Sequence, residues 1–331
     1  MSRIMADGLV LGAYALFNGV PDVELAAAYR GLEMQPLVAA LEMPLAEALG
    51  ERSCLGPLRN GLPAVVADSW DLVITCIPTV MGRLASDPHY GLASQDPSGR
   101  EAAVADVRRA LELARITADH SGRRRIRAIE VHSAPRRAQA STSALEASLT
   151  ELLRLDSDGT ALVVEHCDAT RPGHPPEKGF LEVSEELGVL ASISDDRVGL
   201  SINWGRSAIE GRSTRTPSEH VALAAQAGLL SGIMFSGASD VEGPWGAPWS
   251  DGHIAPRGAG ASPSSWSASL LGADEIRETI EAARGSGTGF LGVKVTATPT
   301  ATSVPERLVI GGRALKLVAA IAERERGIAT A

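Results

Sequence analysis

Eight times along this chain the same order recurs: a short β-rich apolar run, a loop rich in Gly, Pro and Ser, then an amphipathic stretch. Few folds accommodate it. Strands that alternate with helices pair in parallel, and eight such units in 331 residues predict a (β/α)8 TIM barrel of class α/β, a single domain spanning 1–331. The runs predict strands at Gly8–Tyr14, Pro36–Met43, Leu72–Ile77, Ile126–Val131, Ala161 onward, Val198–Ile202, Leu229–Phe235 and Phe290–Thr296. The clearest helix is Arg100–Asp119, where Val104, Val107, Leu111 and Ala114 fall at helical spacing between charges. Further helices are predicted at Asp22–Arg30, Ser143–Leu155, Lys178–Ala191, from Thr216, at Asp274–Arg284 and at Pro305–Arg326, with Asp22 and Thr216 as N-caps. Leu45–Ala67 fits least, because Gly50, Gly56, Pro57, Gly61 and Pro63 make a poor helix.

In such a barrel the loops after the strands build the active site, so the residues closing each strand are the candidates. They are Tyr14, Glu42, Thr75, Glu130 with His132, Glu165 with His166 and Asp168, Asn203 with Arg206, Ser236, and Lys294. The fifth strand is the most telling. Ala161-Leu-Val-Val-Glu-His-Cys-Asp168 is a dry strand that ends in charge, and a carboxylate there is costly unless something needs it. A second cluster lies in the long loop Ser236–Ser265 after strand seven, at Trp249-Ser-Asp251-Gly-His253-Ile-Ala-Pro-Arg257-Gly-Ala-Gly260. Asp251 and His253 lie on one turn, and the glycines let the backbone approach a ligand. A loop of this length carrying Trp245 and Trp249 reads as a lid or binding loop.

Composition excludes several classes. A formal charge of −9 opposes non-specific nucleic-acid or anionic-membrane binding. No apolar run nears the roughly 20 residues of a membrane span, and Met1–Gly12 has no secretory pattern, so a cytoplasmic protein is expected. Cys54, Cys76 and Cys167 form neither a disulfide framework nor a zinc motif, and Cys167 reads as a small buried hydrophobe. The lysines are three, Lys178, Lys294 and Lys316.

The order of strand ends resembles the xylose isomerase-like TIM barrels, whose members are sugar and sugar-phosphate isomerases and epimerases, with endonuclease IV-type nucleases as cousins. The resemblance rests on Glu130-Val-His132, Val163-Val-Glu165-His166 and Asp251-Gly-His-Ile-Ala-Pro-Arg-Gly-Ala-Gly260. It implies a divalent metal (Mn, Mg or Zn) held by Glu on strand five, Asp on six, His or Gln on seven and Glu on eight. Here Glu165 matches, whereas Asn203, Phe235 with Ser236, and Lys294 stand at the other three. The metal-free reading is therefore preferred: Lys294 replaces the metal's charge and pairs with Glu165. If a metal does bind, Glu165, His132, Asp251 and His253 are its ligands.

The resemblance implies proton abstraction beside a carbonyl of a small sugar or sugar phosphate. Glu165 would be the base, Lys294 or Arg206 the oxyanion stabiliser, and His132 or His253 the proton relay. Glu42, Glu130, His166, Asn203, Trp204, Arg206, Trp249, Asp251 and Arg257 would bind substrate, the arginines taking an anionic group and the tryptophans, with Trp245, a sugar face. A Lys294 Schiff-base lyase or aldolase and a non-catalytic sugar-binding protein remain as alternatives. A homo-oligomer is compatible with the sequence.

Overall fold

The computed structural model describes residues 8–259, 266–287, 289–298 and 302–329. Gly260, and with it the end of the loop predicted to run to Ser265, lies outside the described residues. Eight strands close a barrel: β1 Leu9–Gly12, β2 Val38–Pro44, β3 Asp71–Thr75, β4 Ile126–Val131, β5 Ala161–His166, β6 Val198–Asn203, β7 Leu230–Phe235 and β8 Phe290–Val293. Each neighbours the next in sequence, and β8 closes onto β1. The architecture is the predicted TIM barrel.

Contacts divide the chain into two compact halves, one running up to Leu41 and resuming at Ile202, the other Glu42–Ser201. Both boundaries fall inside strands, β2 and β6, so neither half is bounded by a linker. In the half Glu42–Ser201, β3, β4 and β5 pair in parallel, with Thr75 opposite Glu130 and Glu130 opposite Val163. A register shift between Leu72 and Val73 marks an irregularity in β3. In the other half β7, β8 and β1 pair in parallel, with Phe290 opposite Gly232 and Gly292 opposite Val10. Gly232 is required there: a Cβ on it would sit 2.2 Å from the Phe290 ring.

The main helices are α1 Asp22–Gly31, α2 Pro97–Ser121, α3 Thr142–Leu153, α4 Val183–Ile193, α5 Trp204–Gly211, α6 Thr216–Gln226, α7 Ala273–Ala282 and α8 Val304–Ala329. Helix α2 buries Val104, Val107, Leu111 and Ala114 as its spacing predicts. The Asp96 carboxylate caps it by accepting from the Gly99 amide at 2.8 Å, and Gly122 in the left-handed region ends it.

Two predicted caps differ. Pro21, with φ −56° and ψ 141°, is the N-cap of α1, and Asp22 is instead the first helical residue, where its charge meets the helix dipole. Arg215 already has helical dihedrals and its carbonyl accepts from the Glu219 amide, so Thr216 lies inside α6. Strand β6 ends at Asn203, which is the N-cap of α5, and Trp204–Glu210 of that helix are all buried. Leu45–Ala67 resolves into a helical turn at Leu45–Ala48, a 3-10 turn at Ser53–Leu55 and a hairpin pairing Leu58–Arg59 with Leu62–Pro63.

Candidate active site

The densest polar group in Glu42–Ser201 is built by strand parity. Residues two apart on a strand share a face, so Glu130 and His132 point the same way, as do Glu165 and Cys167. Val131 pairs with Val164, which brings His132 opposite Glu165 one step further along. Their side chains meet: His132 Nε2 lies 2.8 Å from Glu165 Oε2, with both side chains fully buried. Glu42 joins from β2, and one ligand oxygen each from Glu42, Glu130 and Glu165 lies within 4.8 Å of the others. The Ser201 hydroxyl anchors Glu130 by donating to its Oε1 at 2.8 Å. Three carboxyl groups this close and out of water do not all stay charged unless cations or protons offset them.

His166 lies on the opposite face of β5 from Glu165. Its Nδ1 is 2.7 Å from Glu186 Oε2 on α4, and Glu186 Oε1 accepts from the Ser133 hydroxyl at 2.5 Å. The predicted substrate-binding His166 is thus turned to the helix layer. Asp168 is buried and its carboxylate accepts from the Lys178 amide at 2.9 Å, closing the loop after β5. Cys76 follows β3, and burial, with Asp106 nearby, pushes its thiol up to about 12.

The half that resumes at Ile202 has its own polar set. Asn203 caps α5, its side chain accepting from the Arg206 amide at 3.4 Å. Arg206 is buried and its Nε lies 3.2 Å from Asp251 Oδ2. His253 Nδ1 lies 2.6 Å from Ser236 Oγ and 3.3 Å from Asp251 Oδ1. Because serine and aspartate share the same ring nitrogen, this is not the relay of a serine-hydrolase triad, which uses both nitrogens.

The loop after β7 holds its residues under strain. His253 has φ 51° and Trp249 φ 65°, left-handed values that cost a non-glycine residue about 1–3 kcal/mol. Backbone bonds repay that locally: Gly237 and Ile254 exchange two hydrogen bonds of 2.8 and 2.9 Å, and the His253 carbonyl accepts from Thr296 at 2.8 Å. Trp249 lies under the Arg212 guanidinium, 5.3 Å from its ring centre. Trp204 is wholly buried in α5. Arg257 is spent on structure, bonded to Glu275 on α7 at 2.9 Å and to the Ser269 carbonyl. Lys294, just past β8, is fully buried with its ammonium 5.1 Å from the Tyr14 ring centre.

A family profile described as a domain of unknown function, DUF4862, matches residues 10–310. The chain belongs to this family. The DUF4862 sequence is 34% identical over 312 residues to the uncharacterized protein STM3670 of Salmonella typhimurium strain LT2, covering 92% of this chain and 94% of that one. Solved structures share its fold at low identity. The IolI protein with a bound zinc atom has TM-score 0.61 at 11% identity, covering 96% of this chain and 98% of its own. D-psicose 3-epimerase of Clostridium cellulolyticum H10 with D-tagatose has TM-score 0.56 at 11%, covering 95% and 99%. A xylose isomerase-like TIM barrel protein of Mycobacterium smegmatis in complex with magnesium has TM-score 0.55 at 14%, covering 97% and 100%. The DUF4862 barrel therefore shares the TIM-barrel fold of these structures.

The metal site implied by that fold does not fit the residues at its four positions. Glu165 is a carboxylate, but Asn203 spends its amide oxygen on a helix cap, Ser236 lies against His253, and Lys294 brings an ammonium. A hard dication wants oxygens and negative charge at those places. Sequence reasoning missed Ser201, Ser133 and Glu186, which reach their partners from other strands and a helix. Cys167 could have been found by its i+2 parity with Glu165.

Proposed function

We propose that this barrel is an isomerase or epimerase of a small sugar or sugar phosphate, working by proton transfer beside a carbonyl. The observation that carries the reading is the buried 2.8 Å contact between Glu165 and His132 at the ends of paired strands. Glu165 takes the proton from the carbon next to the carbonyl. His132, on the same carboxylate, holds it in place and passes the proton on.

Returning the proton to a neighbouring carbon, or to the opposite face of the same carbon, needs a further acid-base group. Glu42 and Glu130 are carboxyls within reach of Glu165. Neighbouring carboxyls do not ionise together, so one can hold a proton while another accepts one. Water exclusion comes from burial: Glu42, Glu130 and Glu165 are each at most 1% exposed. The fold neighbours that act on or bind sugars support the substrate class. No step is assigned to a metal, nor to Lys294, Arg206, Asp251 or His253.

The test is solvent-deuterium exchange into a panel of aldoses, ketoses and their phosphates, followed by mass spectrometry. The protein should place deuterium beside the carbonyl of at least one of them. Glu165→Gln should lower that rate by about a hundred- to ten-thousand-fold, the usual contribution of a positioned base. No exchange across the panel, or full exchange by Glu165→Gln, overturns the reading.

A further inference from the structure

Glu165 belongs to a second, chemically different cluster. Ligand atoms of His132, Glu165 and Cys167, one from each, all lie within 4.8 Å of one another, and the three residues are buried. This is a nitrogen, an oxygen and a sulfur converging from two paired strands, one residue past the end of each strand for His132 and Cys167.

We propose that His132, Glu165 and Cys167 form a three-ligand site for a thiophilic divalent cation of the zinc and cobalt class. Bonds of about 2.0–2.3 Å to nitrogen, oxygen and sulfur place ligands about 3.3–3.8 Å apart in a tetrahedral site. The His132–Glu165 pair opens by less than an ångström from 2.8 Å to meet that spacing, and a separation at the 4.8 Å limit closes by about one. Three protein ligands leave the fourth position open. Sulfur selects the metal: thiolate favours zinc and cobalt, whereas magnesium and calcium demand oxygen. Glu42 and Glu130 lie close to Glu165 and add negative charge that favours a dication.

This set is not the one the fold implies. It sits on β4 and β5, shares only Glu165 with the expected four positions, and does not use Asn203, Ser236 or Lys294. Its occupation has a consequence for the proposed proton transfer, on which this part of the inference rests. The cation takes the lone pairs of both Glu165 and His132, so the metal-bound form and the proton-transferring form exclude each other. Zinc is then an inhibitor of exchange, not its cofactor.

The experiment is titration of the chelator-stripped protein with cobalt(II), read by absorption. One cobalt per chain should bind with a sulfur-to-cobalt charge-transfer band in the near ultraviolet, and zinc should displace it while excess magnesium should not. Cys167→Ser should lose the band and weaken zinc binding by at least about 10–100-fold, since even indirect partners of a ligand cost that much. Cys167→Ala guards against a misfolded serine variant, with circular dichroism checking that both fold. Cys76→Ser should keep the band, because the sulfur that clusters with His132 and Glu165 is that of Cys167.

Cobalt binding without the sulfur band, the same spectrum in folded Cys167→Ser, or displacement by magnesium overturns the site. The absorption readout needs no turnover, so its failure leaves the proton-transfer reading standing. Exchange that rises with zinc overturns the inhibitory role alone.

Discussion

Replacing Glu186 by alanine tests how the end of β5 is held. Glu186, 0% exposed on α4, is the shared acceptor for His166 Nδ1 at 2.7 Å and Ser133 Oγ at 2.5 Å. Removing it takes one charge-assisted partner from each of two buried polar groups, a class of change that costs about 3–5 kcal/mol. For 331 residues the entropy of unfolding is about 0.7 kcal/mol/K, so the melting temperature should fall by about 4–7 °C. Ser133→Ala removes one of the two bonds and should lower it by about 2–3 °C. Glu186→Gln keeps the shape and one acceptor oxygen, and should cost less than half of the alanine change. The assay is thermal unfolding at neutral pH followed by circular dichroism. A Glu186→Ala melt within about 1 °C of the parent refutes the reasoning, and with it the assignment of His166 to the helix layer.

Two further outcomes follow from the same geometry. Hydrogen bonds from Arg197 hold the Asp195 carboxyl below its ordinary value of 3.8, and the Ser98 hydroxyl and Gly99 amide do the same for Asp96. A carboxyl depressed in the folded state contributes stability that is present above its ordinary value and lost as pH falls through the depressed one. Asp195→Asn should therefore flatten the loss of urea stability between about pH 5 and 2 while changing its slope above pH 6 little, and an unchanged acid slope counts against the pair. Arg307 is buried, donating from Nη1 to the Leu16 and Asn18 carbonyls at 2.7 and 2.9 Å and from Nε to the Thr302 carbonyl at 2.8 Å. A lysine has no fork to span these acceptors, so Arg307→Lys should destabilise by about 2–4 kcal/mol, measured by urea unfolding, and a cost under about 0.5 kcal/mol refutes the role.

The alternation of apolar runs and amphipathic stretches determined the barrel, because parallel neighbours need a crossover long enough to hold a helix and each run here is followed by one. β4 is found at its predicted bounds, and Glu165 falls where a dry strand ends. The caps of α1 and α6 were missed by one residue, since a single position inside or outside a helix depends on dihedrals that a propensity does not specify. Helix α5 was not predicted because it starts directly after β6 and, at eight residues, is shorter than the window over which a helical period stands out.

The site divides in the same way. Sequence named Glu165, His132, Glu42 and Glu130 as strand ends, but alternation alone could not say which residue of Glu165-His166 faces inward. Tertiary structure decided that: the register of β4 against β5 set His132 on Glu165, and α4 placed Glu186 where it claims His166. Side chains distant in sequence, such as Ser201 on Glu130 over 71 residues, meet only when strands are packed. Local pattern reports which residues lie on a strand. Which of them converge is a property of register and packing.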